Sequence, residues 1–234
     1  MPVLEVKGVS KSFDGEEIIR NISLELKEGE IVSLLGVSGG GKTTLFNIIA
    51  GLSTPDEGNI YLEGQEITGK PGNISYMLQK DLLLPYRTLV DNVALPLTIR
   101  GMKKSEAREK AAGYFEEFGL EGAEKKYPAE ISGGMKQRAA LLRTYLFSEK
   151  VALLDEPFSA LDYQTRLSVC DDVYKIIREE KKTALLIPHD ISEAISVADK
   201  IFVLSKRPAK VVAEHVLEFP ETEPLKRREN KEFS

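Results

Sequence analysis

Gly36-Val37-Ser38-Gly39-Gly40-Gly41-Lys42-Thr43 has the spacing glycine, four residues, then glycine-lysine-threonine. Such glycines let the backbone wrap a polyphosphate with its N–H groups turned inward. An ammonium at Lys42 reaches the outer phosphates, and a hydroxyl at Thr43 is an oxygen ligand for Mg²⁺. Thr44 follows as the first turn of a helix, whose N-terminus adds partial positive charge. A flexible glycine-rich linker is the plain alternative. A linker has no need of Lys-Thr after its last glycine, nor of the apolar runs Ile31 to Leu35 and Leu45 to Ile49 on either side.

A second set of candidates lies far downstream. Val151-Ala152-Leu153-Leu154-Asp155-Glu156 reads as an apolar strand ending in two carboxylates. In a parallel sheet the C-terminal strand ends face the ligand crevice. Asp155 is thereby expected beside the phosphate loop as a Mg²⁺ ligand through water, and Glu156 as the base that activates or orients water. The bland reading is a buried strand ending in solvated acids. A third set is Ser132-Gly133-Gly134-Met135-Lys136-Gln137-Arg138. Ser132 is a good helix N-cap and the N–H groups after it form an anion site. Two glycines in a first helical turn cost stability, which suggests that something approaches that backbone closely.

The elements that must position these groups follow from periodicity. Val3 to Val9 and Ile18 to Leu26 read as strands joined by a turn at Asp14-Gly15. Asn59 to Leu62 and Ile74 to Leu78 read as further short strands. Ala107, Ala111, Tyr114, Phe115 and Phe118 recur at helical spacing, with Ser105 as N-cap and Gly119 as stop. A second helix runs from Gly133 to Phe147. Strand and helix then alternate: Val151 to Leu154, Tyr163 to Glu180, Thr183 to Ile187, Ile191 to Ala198, Lys200 to Leu204. That alternation implies a parallel sheet covered by helices. Val211 to Phe219 is a final strand, and Pro220 to Ser234 is expected to be a loose charged tail.

Composition limits the rest. The 234 residues are 42% hydrophobic and 29% charged, the balance of a globular protein. No apolar run reaches the roughly 18 residues of a membrane span, and Met1 to Ser10 alternate like a strand rather than a signal peptide. One cysteine and two histidines leave no disulfide and make a structural zinc site improbable. Cys170 is expected as a small core residue on one helix face. A net charge of -5 argues against a broad nucleic-acid surface, but not against a phosphate loop, which works through backbone dipoles, one lysine and a metal.

Taken together, the phosphate loop, Ser132 to Arg138, and Asp155-Glu156-Pro157-Phe158-Ser159-Ala160-Leu161-Asp162 resemble the ATP-binding subunits of ABC transporters. The resemblance runs from about Val3 to about Phe219. It implies an α/β fold: a P-loop NTPase (RecA-like) core with an antiparallel β lobe and a helical insert. Residues 1–219 would form one ATPase domain, with core about 1–80 and 146–219 and insert about 81–145. It implies ATP and Mg²⁺ as cofactors and assigns roles residue by residue. Phe13 would stack on adenine. Gly36 through Thr44 would hold the phosphates. Gln79 would contact Mg²⁺ and the attacking water, Asp162 would couple two subunits, and His189 would touch the γ-phosphate. Ser132, Gly133 and Gly134 would meet the nucleotide of a second subunit paired head to tail. Other implied partners are transmembrane permease subunits and, indirectly, an external solute-binding protein; the location is the cytoplasmic side of the membrane.

Four positions depart from the family pattern. Val37 replaces a common proline, Ile131 and Met135 replace leucine and glutamine, and Pro188 stands where a small hydroxyl residue is usual. Of these, Met135 removes a polar side chain from near the nucleotide of the second subunit, and Pro188 bears on where His189 sits. The methionine-lysine signature, Phe158 and the segment Val203 to Pro208 resemble importers of the nitrate, sulfonate and taurine group. Leu82-Leu83-Leu84 after Gln79 reads equally as permease groove or insert core. A soluble ABC-type ATPase acting on nucleic acid or ribosomes is the rival; it would be expected to carry two cassettes, a coiled-coil insert or basic extensions. A phosphate-loop kinase is another, and it has no use for Ser132-Gly133-Gly134.

Overall fold

The computed structural model describes residues 1–147, 150–159, 163–219 and 224–229. Ten strands are described: β1 (Pro2–Phe13), β2 (Glu16–Lys27), β3 (Ile31–Gly36), β4 (Glu57–Leu62), β5 (Gln65–Glu66), β6 (Ser75–Met77), β7 (Val151–Asp155), β8 (Thr183–Ile187), β9 (Lys200–Leu204) and β10 (Val211–Val216). The helices are α1 (Lys42–Ile49), α2 (Leu89–Val93), α3 (Leu95–Ile99), α4 (Lys104–Ala112), α5 (Gly133–Phe147), α6 (Tyr163–Glu179), α7 (Ile191–Val197) and α8 (Pro224–Glu229).

Two sheets result. The first is antiparallel with order β2-β1-β4-β5, and Asp14 and Gly15, both at positive φ, make its tight hairpin turn. The second has order β10-β9-β3-β8-β7-β6. Its neighbours from β9 to β6 run parallel, and β10 closes one edge antiparallel. The expected parallel sheet, antiparallel lobe and helical segment are all present.

Alternation along the central strands assigns each face to a different core. Ile31, Leu154, Ala184 and Leu186 face one cluster together with α2 to α6. Val32, Leu34, Leu153, Leu185 and Ile187 face the other, with α1 and the antiparallel sheet. These strands are buried on both faces, which explains their near-continuous apolar runs.

Four expectations need correction. Ser105 is not an N-cap: α4 begins at Lys104 after Lys103, with no side-chain cap. That helix also stops at Ala112, and tight turns at Tyr114, Phe115 and Gly119 carry the chain on; Gly113 is a weak helix former and lets the last apolar residues repack as turns. The final strand ends at Val216, three residues before Phe219. The tail is not wholly loose. Its described part is α8, which packs on α6 and α7 with Arg227 buried.

Asn92 is the polar pin of the insert. It is fully buried. Its Oδ1 accepts the Leu84 N–H at 2.7 Å, and its Nδ2 donates to the carbonyls of Leu84, Arg87 and Thr88 at 3.1–3.2 Å. The segment after Gln79 is thereby tied to α2. Replacing Asn92 by alanine strands these groups at a cost of about 2 kcal/mol. The expected outcome is a thermal midpoint lower by roughly 4 to 8 °C, checked by calorimetry.

Candidate active site

The parallel strands end level with one another. Asp155 pairs with Ile187, Leu154 with Met77, and Gly36 with Leu204. Everything that follows those strand ends therefore opens onto one edge. A cleft of about 270 Å³ lies there, lined by Ser38 to Thr44, Gln79, Asp155, Glu156, Ile187 and Arg207.

The phosphate loop is shaped by its glycines. Gly41 is the N-cap of α1 at φ 103°, a conformation that side chains rarely adopt. A Cβ there would stand 3.2 Å from Ile18 of β2, so the antiparallel lobe braces the loop from behind. The Gly40 N–H donates to the Val37 carbonyl at 3.1 Å. The Lys42 ammonium donates to the carbonyls of Gly36 and Val37 at 2.7 and 3.0 Å. Burial lowers its pKa, while the charges of Glu156 and Asp155 hold it up.

Opposite the lysine, Asp155 is buried at the end of β7. Its Oδ2 accepts from the Thr43 hydroxyl and from the Tyr76 hydroxyl, both at 3.4 Å. Burial lifts its carboxyl above the usual range and Glu156 adds to this; Thr43, Tyr76 and Lys42 pull the other way. Hydroxyl and carboxylate oxygens of this kind are the hard donors that Mg²⁺ prefers, so the residues present fit the ion.

Glu156 stands at φ 47°. Left-handed backbone at a non-glycine residue costs about 1–3 kcal/mol and persists only where neighbours hold it. Here the Glu156 N–H donates to Ile187, and the Glu156 carbonyl accepts from the Gln137 amide at 3.2 Å and the Ser159 N–H. The side chain points to the cleft, where the Gln79 amide donates to its Oε2 at 2.8 Å.

The expected residues fall into three groups. Ser38 to Thr44, Gln79, Asp155 and Glu156 share the cleft, with Gly36 and Val37 behind it as acceptors for Lys42. Phe13, half exposed at the end of β1 beneath the Lys11 ammonium, and His189, exposed two residues past Ile187, stand outside the lining. Ser132, Gly133 and Gly134 are also outside it, at the start of α5. Asp162 lies outside the described residues. Met135 and Ile131 pack against their own core. Leu82-Leu83-Leu84 divides: Leu83 is core, Leu82 is exposed and Leu84 is half-buried.

Three contributors had no sequence signal of their own. Arg207 lines the cleft, donating to the Gly39 carbonyl at 2.7 Å and to Glu16 at 3.1 Å. It lies 168 positions from that glycine. Tyr76 and Gln137 are likewise joined to the acids only by the fold.

The chain has relatives among known proteins. Residues 19–159 match the ABC transporter family. The chain belongs to that family. The uncharacterized ABC transporter ATP-binding protein YtlC of Bacillus subtilis is 49% identical over 82% of this chain and 74% of its own length. The formylaminopyrimidine import ATP-binding protein ThiZ of Halalkalibacterium halodurans is 46% identical over 82% and 74%. The nitrate transport protein NasD of Klebsiella oxytoca is 40% identical over 91% and 84%. Aliphatic sulfonate and taurine import ATP-binding proteins match at 38%. Among solved structures, the dimeric ATP-binding cassette MJ0796 bound to ADP and Pi aligns with a TM-score of 0.82 at 30% identity, over 92% of this chain and 99% of that one. This ABC protein is an ATPase, a P-loop cassette that binds ATP and hydrolyses it. No helix among its described residues is long and apolar enough to cross a membrane.

The Tyr76–Asp155 contact predicts a pH effect in this ABC ATPase. The hydroxyl holds the Asp155 carboxyl down. In Tyr76→Phe that carboxyl therefore keeps its proton to higher pH. The acid limb of kcat/KM is expected to move to higher pH with the alkaline limb unchanged, read from a pH–rate profile.

Proposed function

We propose that this cassette hydrolyses Mg-ATP by in-line attack of water on the γ-phosphate, as one of two identical subunits that drive import through a membrane permease. The observation that carries the reading is the convergence of the Lys42 loop and the Gln79–Glu156 pair on one cleft. Lys42 and the loop N–H groups offset the phosphate charge. Gln79 and Glu156 orient the water, and Glu156 takes its proton. Mg²⁺ held by Thr43 and Asp155, with Gln79 nearby, supplies further charge neutralisation when bound. His189 contacts the γ-phosphate from the neighbouring strand end, Phe13 stacks on adenine, and Asp162 belongs to the contact between subunits.

Gly133 supports the second subunit. It lacks positive φ, and a Cβ added there would meet nothing within 4 Å. Nothing among the described residues demands glycine there, which fits the close approach of a nucleotide held by another copy. The solved relative MJ0796 is dimeric. The permease reading rests on a groove of about 290 Å³ between α3, α5 and β6, where Leu52 and Ile99 stand exposed beside Arg143. Arg143 donates to the carbonyls of Asp81 and Leu82, so the groove abuts the segment that follows Gln79. A subunit docked there lies on the cytoplasmic face of the membrane, served by a solute-binding protein outside.

For the cargo we favour a small oxyanion such as nitrate, sulfonate or taurine, in line with NasD and the sulfonate and taurine relatives. A formylaminopyrimidine-like heterocycle is the second reading, because ThiZ is more similar in sequence. Nucleic acid is not a partner on this reading, in keeping with the net charge of -5.

Glu156→Gln is expected to bind Mg-ATP, turn it over at least 100-fold more slowly, and run as a dimer by light scattering, whereas Lys42→Ala binds ATP poorly. Tagged Glu156→Gln with Mg-ATP should also capture a multi-spanning permease from detergent-solubilised membranes. A protein that stays monomeric even with that permease present sinks the paired arrangement.

A further inference from the structure

Behind His189 lies a buried carboxylate that the hydrolytic reading leaves unused. Glu193, in the first turn of α7, is 1% exposed. Its Oε2 accepts the backbone N–H of His189 at 2.9 Å, and its own N–H donates to Asp190 Oδ1 at 2.7 Å. The ordinary reciprocal cap at a helix start returns the third residue's carboxylate to the N-cap N–H. Here the carboxylate reaches one residue further, to the backbone of His189 itself. Surface caps of this kind are solvated, whereas this one is enclosed and its Oε1 has no hydrogen-bond partner among the described residues.

The C-terminal helix packs against α7 beside it. Arg228 of α8 donates to the Ser196 hydroxyl at 3.3 Å and faces Glu193. Arg227 donates to the Ala198 carbonyl at 2.6 Å and lies 3.6 Å from Asp199. Asp199 in turn pairs with Arg178 of α6 and accepts the N–H of Ile31, the first residue of the strand leading to the phosphate loop. Helix α8 thus ties the α7 end to β3, the strand that leads into the phosphate loop.

We propose that Glu193 is a positioning residue for His189 and that α8, through Arg228, is the strap that keeps it in place. The inference rests on the reading of His189 as the γ-phosphate contact. A histidine on a loop after a strand end has no fixed height above the sheet. A carboxylate anchored on the helix that follows, and covered by a second helix, supplies one.

The groups facing this carboxyl are Asp190 on its own loop, Arg166, Cys170 and Tyr174 from α6, and Arg228 from α8. Burial pushes its pKa up to about 7, above the ~4.3 of an exposed glutamate. The fold therefore keeps a proton that the unfolded chain has lost between those values, and stability falls as pH rises through that window.

The test compares Glu193→Ala, Glu193→Gln, Arg228→Ala and His189→Ala in the full chain by steady-state Mg-ATP hydrolysis. Glu193→Ala should lose roughly tenfold or more in kcat with KM for ATP within about twofold. Glu193→Gln, which keeps an acceptor, should recover most of that loss. Arg228→Ala should lie between them. The melting temperature of wild type should fall more steeply from pH 5 to pH 7.5 than that of Glu193→Gln. Full activity of Glu193→Ala beside an impaired His189→Ala overturns the positioning role alone. Full activity of His189→Ala overturns the role of the imidazole. A Glu193→Gln protein as impaired as Glu193→Ala also counts against positioning, because the acceptor is still present.

Discussion

The site depends on the register of the parallel strands. Each residue of a strand advances the chain by about 3.3 Å, and a one-residue slip also turns every side chain to the other face. The pairing of Asp155 with Ile187 and of Leu154 with Met77 fixes where β7 ends relative to its neighbours. Asp155 therefore lies at hydrogen-bond range from Thr43 on one side and Tyr76 on the other. The phosphate loop brings Thr43 to the end of a strand whose own position is already fixed. That position follows from strands packed on both faces, whose apolar residues leave no alternative register without exposing one core or the other.

On that frame the charges are arranged against one another. Two carboxylates stand side by side at the end of β7, where burial and the neighbouring Glu156 raise the cost of charge on Asp155. The lysine that faces them is itself partly desolvated. A polyphosphate with its metal adds charge of both signs at this point, so the cleft suits a ligand that brings its own counter-ion. The strained backbone at Glu156 belongs to the same economy: three hydrogen bonds hold it, one of them from a side chain on α5. The helix whose start is read as meeting a second copy is thus bonded to the backbone carbonyl of the residue whose carboxylate is read as activating water.

Much of this was legible in the sequence because the signals were local. Eight consecutive residues spell the phosphate loop, and the four apolar residues before Asp155 need only a parallel sheet to place the acids. Family resemblance supplied Gln79, which has no local signature. What could not be read was set by distance along the chain. Arg207 meets Gly39 across the sheet; Gln137 meets Glu156 from a helix that reads as an ordinary signature. The charged tail gave no hint of a helix, since Arg227 and Arg228 look solvated until Ala198, Asp199 and Ser196 are placed beside them. Ser105 has the residue type of a cap, but this helix is held instead by the burial of Ala107 and Ala111 along one face.

The parallel sheet is a wall between two cores that share no side chain among the described residues. Free energy of opening need not be uniform in such a molecule. Loosening the helical half exposes one face of β3, β7 and β8 and leaves the other face, with α1 and the phosphate loop, still packed. The helical half can therefore tilt or soften as a unit while the phosphates remain gripped. Mechanical compliance and nucleotide affinity are separable properties in this chain, each written in a different set of buried residues.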